Sequence, residues 1–197
     1  MISDAPAFLG QFARHPFTTG AVLPSGMILA WDITAAVPRH GHPLVVELGP
    51  GTGAFTRAIQ HRLAGRGRHL AVELNPSFAT ALARRHPAVQ VVRADAAALD
   101  RVLADRQLPA ADVVVSGLPW AAFGAGRQLA VLDAVLRALR PDGVFTTFAY
   151  RHALATRPAR RFKRLLAGGF EEVTIGRTVW TNLPPALVYH CRRPVSR

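Results

Sequence analysis

From Leu44 to Tyr150, short apolar runs alternate with stretches whose apolar residues repeat at helical spacing. The runs fall near residues 44–47, 69–73, 89–93, 112–117 and 143–150. Alternation of this kind predicts an open parallel sheet with helices on its faces. After Gly168-Gly169, the runs Phe170–Ile175 and Ala186–Cys191 follow one another with no helical pattern between them. They are expected to close the sheet as a hairpin. Upstream, the spacing predicts a helix from about Ser25 to Val37, preceded by a turn-rich loop from His15 to Ser25. Earlier still, Phe8, Leu9 and Phe12 stand at i, i+1 and i+4 and share one face of a short helix. That face either packs on the domain's own core or lies in a lipid interface with Arg14 at the headgroups.

The chain has 197 residues, 50% of them hydrophobic, which suits one compact domain. Within it, residues 1–40 are expected to form a helical lid or membrane-contacting segment and residues 41–197 the main α/β body. No apolar run reaches the roughly 18 to 20 residues that span a bilayer, and the N-terminus lacks the basic stretch of a signal peptide. A cytoplasmic location is therefore expected. Cys191 is the only cysteine, which excludes an internal disulfide and a thiolate metal cluster, and no metal site is expected. The formal charge is +12, carried by 24 basic against 12 acidic residues, and Lys163 is the only lysine. A surface so cationic points to nucleic acid or an anionic membrane.

Candidate chemistry begins where the first strand ends. Val45-Val46-Glu47-Leu48-Gly49-Pro50-Gly51-Thr52-Gly53 runs from an apolar strand into a turn with three glycines in five residues, which lets backbone approach a ligand with no Cβ in the way. Glu47 speaks against a pyrophosphate, which prefers backbone N–H groups and no nearby anion, and suits a cationic amino-acid moiety. The dinucleotide spacing G-x-G-x-x-G is missing, because the third glycine falls too early. Glu73 ends the next strand, where a carboxylate would meet ribose hydroxyls. Asn75-Pro76 then reads as a helix cap. Asp95 and Ala96 follow the third strand, placing a carboxylate within reach of an adenine amino group.

The spacing E-x-G-x-G-x-G resembles the first motif of S-adenosylmethionine-dependent methyltransferases. The resemblance implies a class I fold, a Rossmann-like, seven-stranded, mostly parallel α/β sheet with an N-terminal helical segment. It also implies S-adenosyl-L-methionine as cofactor, held by Glu47, Gly49, Gly51, Thr52, Gly53, Glu73, Leu74, Asp95, Ala96 and Ser116. Further along, Thr19-Gly20-Ala21-Val22, Pro24-Ser25, Ser116-Gly117-Leu118-Pro119, Phe148-Ala149-Tyr150 and Trp180-Thr181-Asn182-Leu183-Pro184-Pro185-Ala186 resemble the bacterial phospholipid N-methyltransferases, which are related to the ribosomal RNA adenine dimethylases. One departure is Trp120, where an aliphatic residue is more usual.

That likeness implies transfer to the amine of phosphatidylethanolamine and its methylated derivatives at the inner face of the membrane, by a monomeric, peripherally bound enzyme. Ser116, Leu118 and Tyr150 are the expected catalytic residues, with Tyr150 orienting the amine or relaying its proton. Trp120, Tyr150, Arg151, Trp180 and Asn182 are the expected substrate contacts, the aromatic rings by cation–π attraction to a nitrogen that gathers methyl groups. Headgroup phosphate would fall to Arg151, Arg160, Arg161, Lys163 and Arg164. An RNA adenine N6-methyltransferase stays open, disfavoured because the Ser116 hydroxyl is a poorer orienter of a planar amine than an amide or carboxylate. So do another aminolipid such as an ornithine lipid, a soluble amine, and a non-catalytic cofactor-binding protein.

Overall fold

The apolar runs become seven strands: β1 Leu44–Leu48, β2 Arg68–Glu73, β3 Gln90–Arg93, β4 Ala111–Ser116, β5 Leu139–Tyr150, β6 Phe170–Ile175 and β7 Ala186–Pro194. The protein is described by a computed structural model over residues 24–195. Among the described residues one α-helix precedes the strands, α1 Pro24–Ile33, and five lie between them: α2 Ala54–Leu63, α3 Pro76–Arg85, α4 Leu99–Asp105, α5 Ala125–Ala138 and α6 Arg157–Gly169. The strands form one sheet in the order β3-β2-β1-β4-β5-β7-β6. Five neighbours run parallel, and β7 runs antiparallel between β5 and β6. The hairpin read from the Gly-Gly break is thus present, and the fold is the class I, Rossmann-like sheet. The short helix with Phe8, Leu9, Phe12 and Arg14, and the loop that follows it, lie outside the described residues.

Alternation along the strands sorts the core into two layers. Leu44, Val46, Leu48, Leu70, Val72 and Phe145 pack with α5 and α6 on one face. Val45, Val115, Phe148 and Val188 pack with α1 and α2 on the other. Leu29, Ala30 and Ile33 of α1 share that second core, so this part of the segment assigned to a lid is built into the sheet layer. α1 ends at Ile33, short of the expected Val37. Pro38 bars its predecessor from helical backbone, and the intervening residues form a turn closed by Val37 N–H donating to the Thr34 carbonyl. β5 starts at Leu139, earlier than expected, because α5 runs straight into it; the register shifts between Ala111 and Val113 to accommodate the Pro141-Asp142-Gly143 stretch.

Candidate active site

Every parallel strand delivers its carboxyl end to one rim of the sheet, and the expected site residues gather there. Leu48 is in register with Val72 and Ser116, so β1, β2 and β4 end side by side. Gly49, Gly51 and Gly53 have φ of +66°, +53° and +88°, backbone that L side chains rarely adopt. Beside Gly51 a Cβ would meet nothing within 4 Å, so this backbone borders open space. The loop is held from below. Gly49 N–H donates to the Val72 carbonyl at 3.0 Å, and Gly51 N–H donates to Glu73 Oε2 at 3.1 Å. Glu73 Oε1 accepts from Asn75 N–H at 2.8 Å, and Asn75 caps α3 through Ser77 N–H and Phe78 N–H. Glu73 therefore joins the glycine turn to the start of α3.

Glu47 lies beneath this loop and is fully buried. Its Oε2 accepts from Thr56 Oγ1 at 2.7 Å and stands 3.2 Å from His69 Nε2. Gln60 Nε2 lies 2.9 Å from His69 Nδ1; with the amide donating there, the ring proton sits on Nε2, which is close to Glu47 without a hydrogen bond to it. Glu47 Oε1 is buried without a hydrogen-bond partner among the described residues. A buried carboxylate oxygen left over in this way is costly unless a donor completes it. The position fits a loop prepared for a cationic ligand, and the open backbone at Gly51 fits close approach. Thr56, Gln60 and His69 were not anticipated from the sequence. For His69 the signal was parity, because His69, Ala71 and Glu73 alternate toward the same face as Glu47, whereas Thr56 and Gln60 come from α2 and had none.

Asp95 follows β3 as expected, and it is both capped and paired. Its Oδ1 accepts from Ala97 N–H at 2.8 Å, and Arg127 from α5 donates to Oδ2 at 2.6 Å. Partial burial pushes this carboxyl up, and the bonds from Arg127 and Ala97 outweigh it, so it titrates below the usual range. Its contribution to stability is accordingly present above the unfolded-state value and is lost as the pH falls through the folded one. Leu74 is exposed beside the loop, as is Thr52, whose carbonyl accepts from Arg85 at 3.0 Å. Ala96 is buried and opens a short 3-10 turn.

The acceptor side is made by the turn after β4 and by the end of β5. Ser116 is buried, and its Oγ accepts from Trp120 Nε1 at 3.0 Å and from Leu118 N–H at 3.3 Å. Both lone pairs are thereby used, leaving the hydroxyl only its proton to offer. Leu118 is half-buried, and its carbonyl accepts from Trp120 N–H at 3.0 Å. Gly117 lets this turn touch the glycine loop, since a Cβ there would come within 2.7 Å of the Gly49 carbonyl oxygen.

Trp120 corrects the expectation of an aromatic face open to the substrate. It is 3% exposed, stacked on Phe162 with centroids 4.2 Å apart and set edge-on to Phe145. Its ring is core, and its N–H holds Ser116. Tyr150 ends β5 half-buried, edge-on to Phe148 and stacked with His152, and burial pushes its phenol up.

The β6–β7 loop closes over the same rim. Arg151 N–H donates to the Pro185 carbonyl at 2.8 Å, and the Arg151 guanidinium lies 5.0 Å from the ring centroid of Trp180. Trp180 is 65% exposed and Leu183 78% exposed, so both project from the rim. Asn182 does not reach outward as a substrate contact would. It is fully buried and donates through Nδ2 to the Pro184 carbonyl at 2.6 Å, shaping the turn that carries its neighbours. Arg161 is a third correction. Expected at a headgroup, it turns inward to Gln128 Oε1 and the Phe123 carbonyl, whereas Arg157, Arg160, Lys163 and Arg164 stay exposed. Among the described residues no cluster of His, Cys, Asp or Glu is placed to hold a metal ion. No described helix is long and apolar enough to cross a membrane.

Comparison with known proteins agrees with this geometry. A family model for a methyltransferase domain matches residues 45–143, from β1 into β5. An ornithine lipid N-methyltransferase from Singulisphaera acidiphila is 34% identical, over 97% of this chain and 97% of its own. A ribosomal RNA small subunit methyltransferase A from Burkholderia sp. is 33% identical over 61% of this chain and 43% of its own length. Among solved structures, an O-methyltransferase from Bacillus cereus in complex with SAH superposes with a TM-score of 0.67 at 15% identity, covering 98% of this chain and 92% of that one. The chain belongs to the methyltransferase-domain family and is an S-adenosylmethionine-dependent methyltransferase of the class I fold.

Proposed function

We propose that the enzyme N-methylates the amine of an aminolipid at the inner face of a membrane, with an ornithine lipid as its first acceptor and phosphatidylethanolamine as its second. The observation that carries this reading is the 34% identity, over 97% of both chains, to an ornithine lipid N-methyltransferase. The likeness to a ribosomal RNA methyltransferase supports a base acceptor less, because it covers only 43% of that protein. The committed lone pairs of Ser116 also leave no side-chain acceptor for a planar base amine at that position.

In this reading Gly49, Gly51, Thr52 and Gly53 bring backbone to the cofactor, with Leu74 and Ala96 flanking it. Glu47 offers its unpaired oxygen to the cationic amino-acid end, Glu73 meets the ribose, and Asp95 lies toward the adenine. Bound S-adenosylmethionine supplies an electrophilic methyl group on a sulfonium. The chain's own task is to hold a neutral amine in line and keep water out.

The Leu118 carbonyl keeps a second lone pair for an amine N–H. A phenol is protonated at neutral pH and burial pushes that of Tyr150 further up, so in this reading it orients the amine through its oxygen. Trp180, backed by Arg151, offers an exposed ring to a nitrogen that loses N–H donors as it gains methyl groups. Arg151 also stands ready for the headgroup anion, a carboxylate in ornithine lipid or a phosphate in phosphatidylethanolamine.

Incubation with radiolabelled S-adenosylmethionine and vesicles containing either lipid, followed by lipid chromatography, tests the reading. Label is expected in the N-methylated lipid, and labelled RNA with unlabelled lipid would contradict it. Tyr150→Phe should lower kcat about tenfold, the worth of one hydrogen bond, with the cofactor dissociation constant held within about twofold. The exposed arginines and Lys163 of α6 support docking on anionic lipid. In flotation, binding is expected to rise with anionic lipid content and to fall steeply at high salt; equal binding to neutral vesicles would remove this electrostatic part.

A further inference from the structure

A buried chain of hydrogen bonds joins the acceptor turn to α6, and its centre is a residue with no other explanation. Gln128 lies on α5 in the apolar stripe that includes Val131, Leu132 and Val135, and it is fully buried. Its Nε2 donates to the Trp120 carbonyl at 2.7 Å and to the Pro158 carbonyl at 3.1 Å. Its Oε1 accepts from Arg161 Nε at 2.9 Å, and Arg161 also donates to the Phe123 carbonyl at 3.2 Å. Trp120 is therefore fixed at two points: its carbonyl by Gln128, and its ring by Phe162. From there its indole N–H sets the Ser116 hydroxyl.

A leucine or methionine would fill this part of the stripe without desolvating an amide and a guanidinium. Burying them costs free energy that directional bonds must offset. Those bonds end on the two segments that flank the acceptor, the turn after β4 and the start of α6.

We propose that Gln128, clamped by Arg161, is a positioning residue for methyl transfer, holding the Ser116–Trp120 turn at the distance from α6 that in-line attack requires. The inference rests on the reading that this turn receives the acceptor amine. Gln128→Met preserves volume but removes the donor to Trp120 and the acceptor for Arg161. Gln128→Glu keeps the Arg161 bond and loses both donors.

On aminolipid vesicles both variants are expected to lower kcat at least tenfold, with KM and the cofactor dissociation constant within about twofold. The variant Trp120→Phe removes the bond to Ser116 and part of the ring stack on Phe162, while the carbonyl held by Gln128 stays in place. Combined with Gln128→Met, it should be about as slow as the slower single variant, since both act on one hydroxyl. A purely structural role would instead lower the melting temperature while the folded fraction kept its full kcat.

Amide hydrogen exchange gives a second measurement that needs no acceptor. In Gln128→Met, residues 117–123 are expected to exchange at least tenfold faster, with β1 and β4 unchanged. Unchanged exchange in that turn, or an unchanged kcat, would overturn the proposal. Lipid left unlabelled by the parent enzyme would count against the aminolipid reading alone, and the exchange result would then still decide the role of Gln128.

Discussion

Glu73→Ala is expected to raise the dissociation constant for S-adenosylmethionine about tenfold to a hundredfold, the span set by about 1.5–3 kcal/mol for hydrogen bonds to a charged group. Two effects add in the same direction. The carboxylate proposed to meet the ribose is removed, and the Gly51 and Asn75 N–H groups lose the acceptor that ties the glycine turn to α3. Gln at this position retains one acceptor oxygen and one of those two bonds, so Glu73→Gln should fall between the parent and the alanine variant. Titration calorimetry measures both. Parent-like affinity in Glu73→Ala would mean that the carboxylate braces the loop without touching the cofactor.

Gly117→Ala should lower kcat about a hundredfold, the cost of misplacing reacting groups by about 1 Å. The added methyl would stand 2.7 Å from the Gly49 carbonyl oxygen and 3.6 Å from that of Leu48, backbone atoms that cannot swing aside as a side-chain tip can. The turn after β4 must then separate from the glycine loop, the seam along which cofactor and acceptor are proposed to meet. Gly117 is half-buried at the rim, so the fold should persist, with a melting temperature lowered by a few degrees as the two backbone segments part. Steady-state kinetics beside thermal unfolding separate the two effects. A kcat within twofold of the parent would show that the seam has room to spare.

Much of this arrangement was legible because its signals are local. Three glycines after an apolar strand fix the loop, and acidic residues at the ends of β1 and β2 follow from strand parity and length. The antiparallel end of the sheet was readable from a missing helical pattern between the last two strands. What could not be read depends on contacts between distant elements. Trp120 follows a motif at a substrate rim, yet Phe162, more than forty residues on, draws its ring into the core. Arg161 belongs to a run of basic residues, and only the packing of α6 against α5 decides that this one turns inward to Gln128. Gln128 carries no signal of its own in the sequence, being one polar residue within the helical spacing of α5. Its meaning came only with its partners. The His69 partnership with Glu47 likewise needed the register that sets Val45 against His69 and Glu47 against Ala71.

The acceptor is tested most directly by competition in one tube: anionic vesicles holding equal amounts of ornithine lipid and phosphatidylethanolamine, with ribosomal RNA in the same solution and radiolabelled S-adenosylmethionine as methyl donor. Label is predicted in N-methylated lipid, more in ornithine lipid than in phosphatidylethanolamine, with none in RNA. Label confined to RNA, or absent from both lipids while the parent enzyme still binds the cofactor, would contradict an aminolipid acceptor.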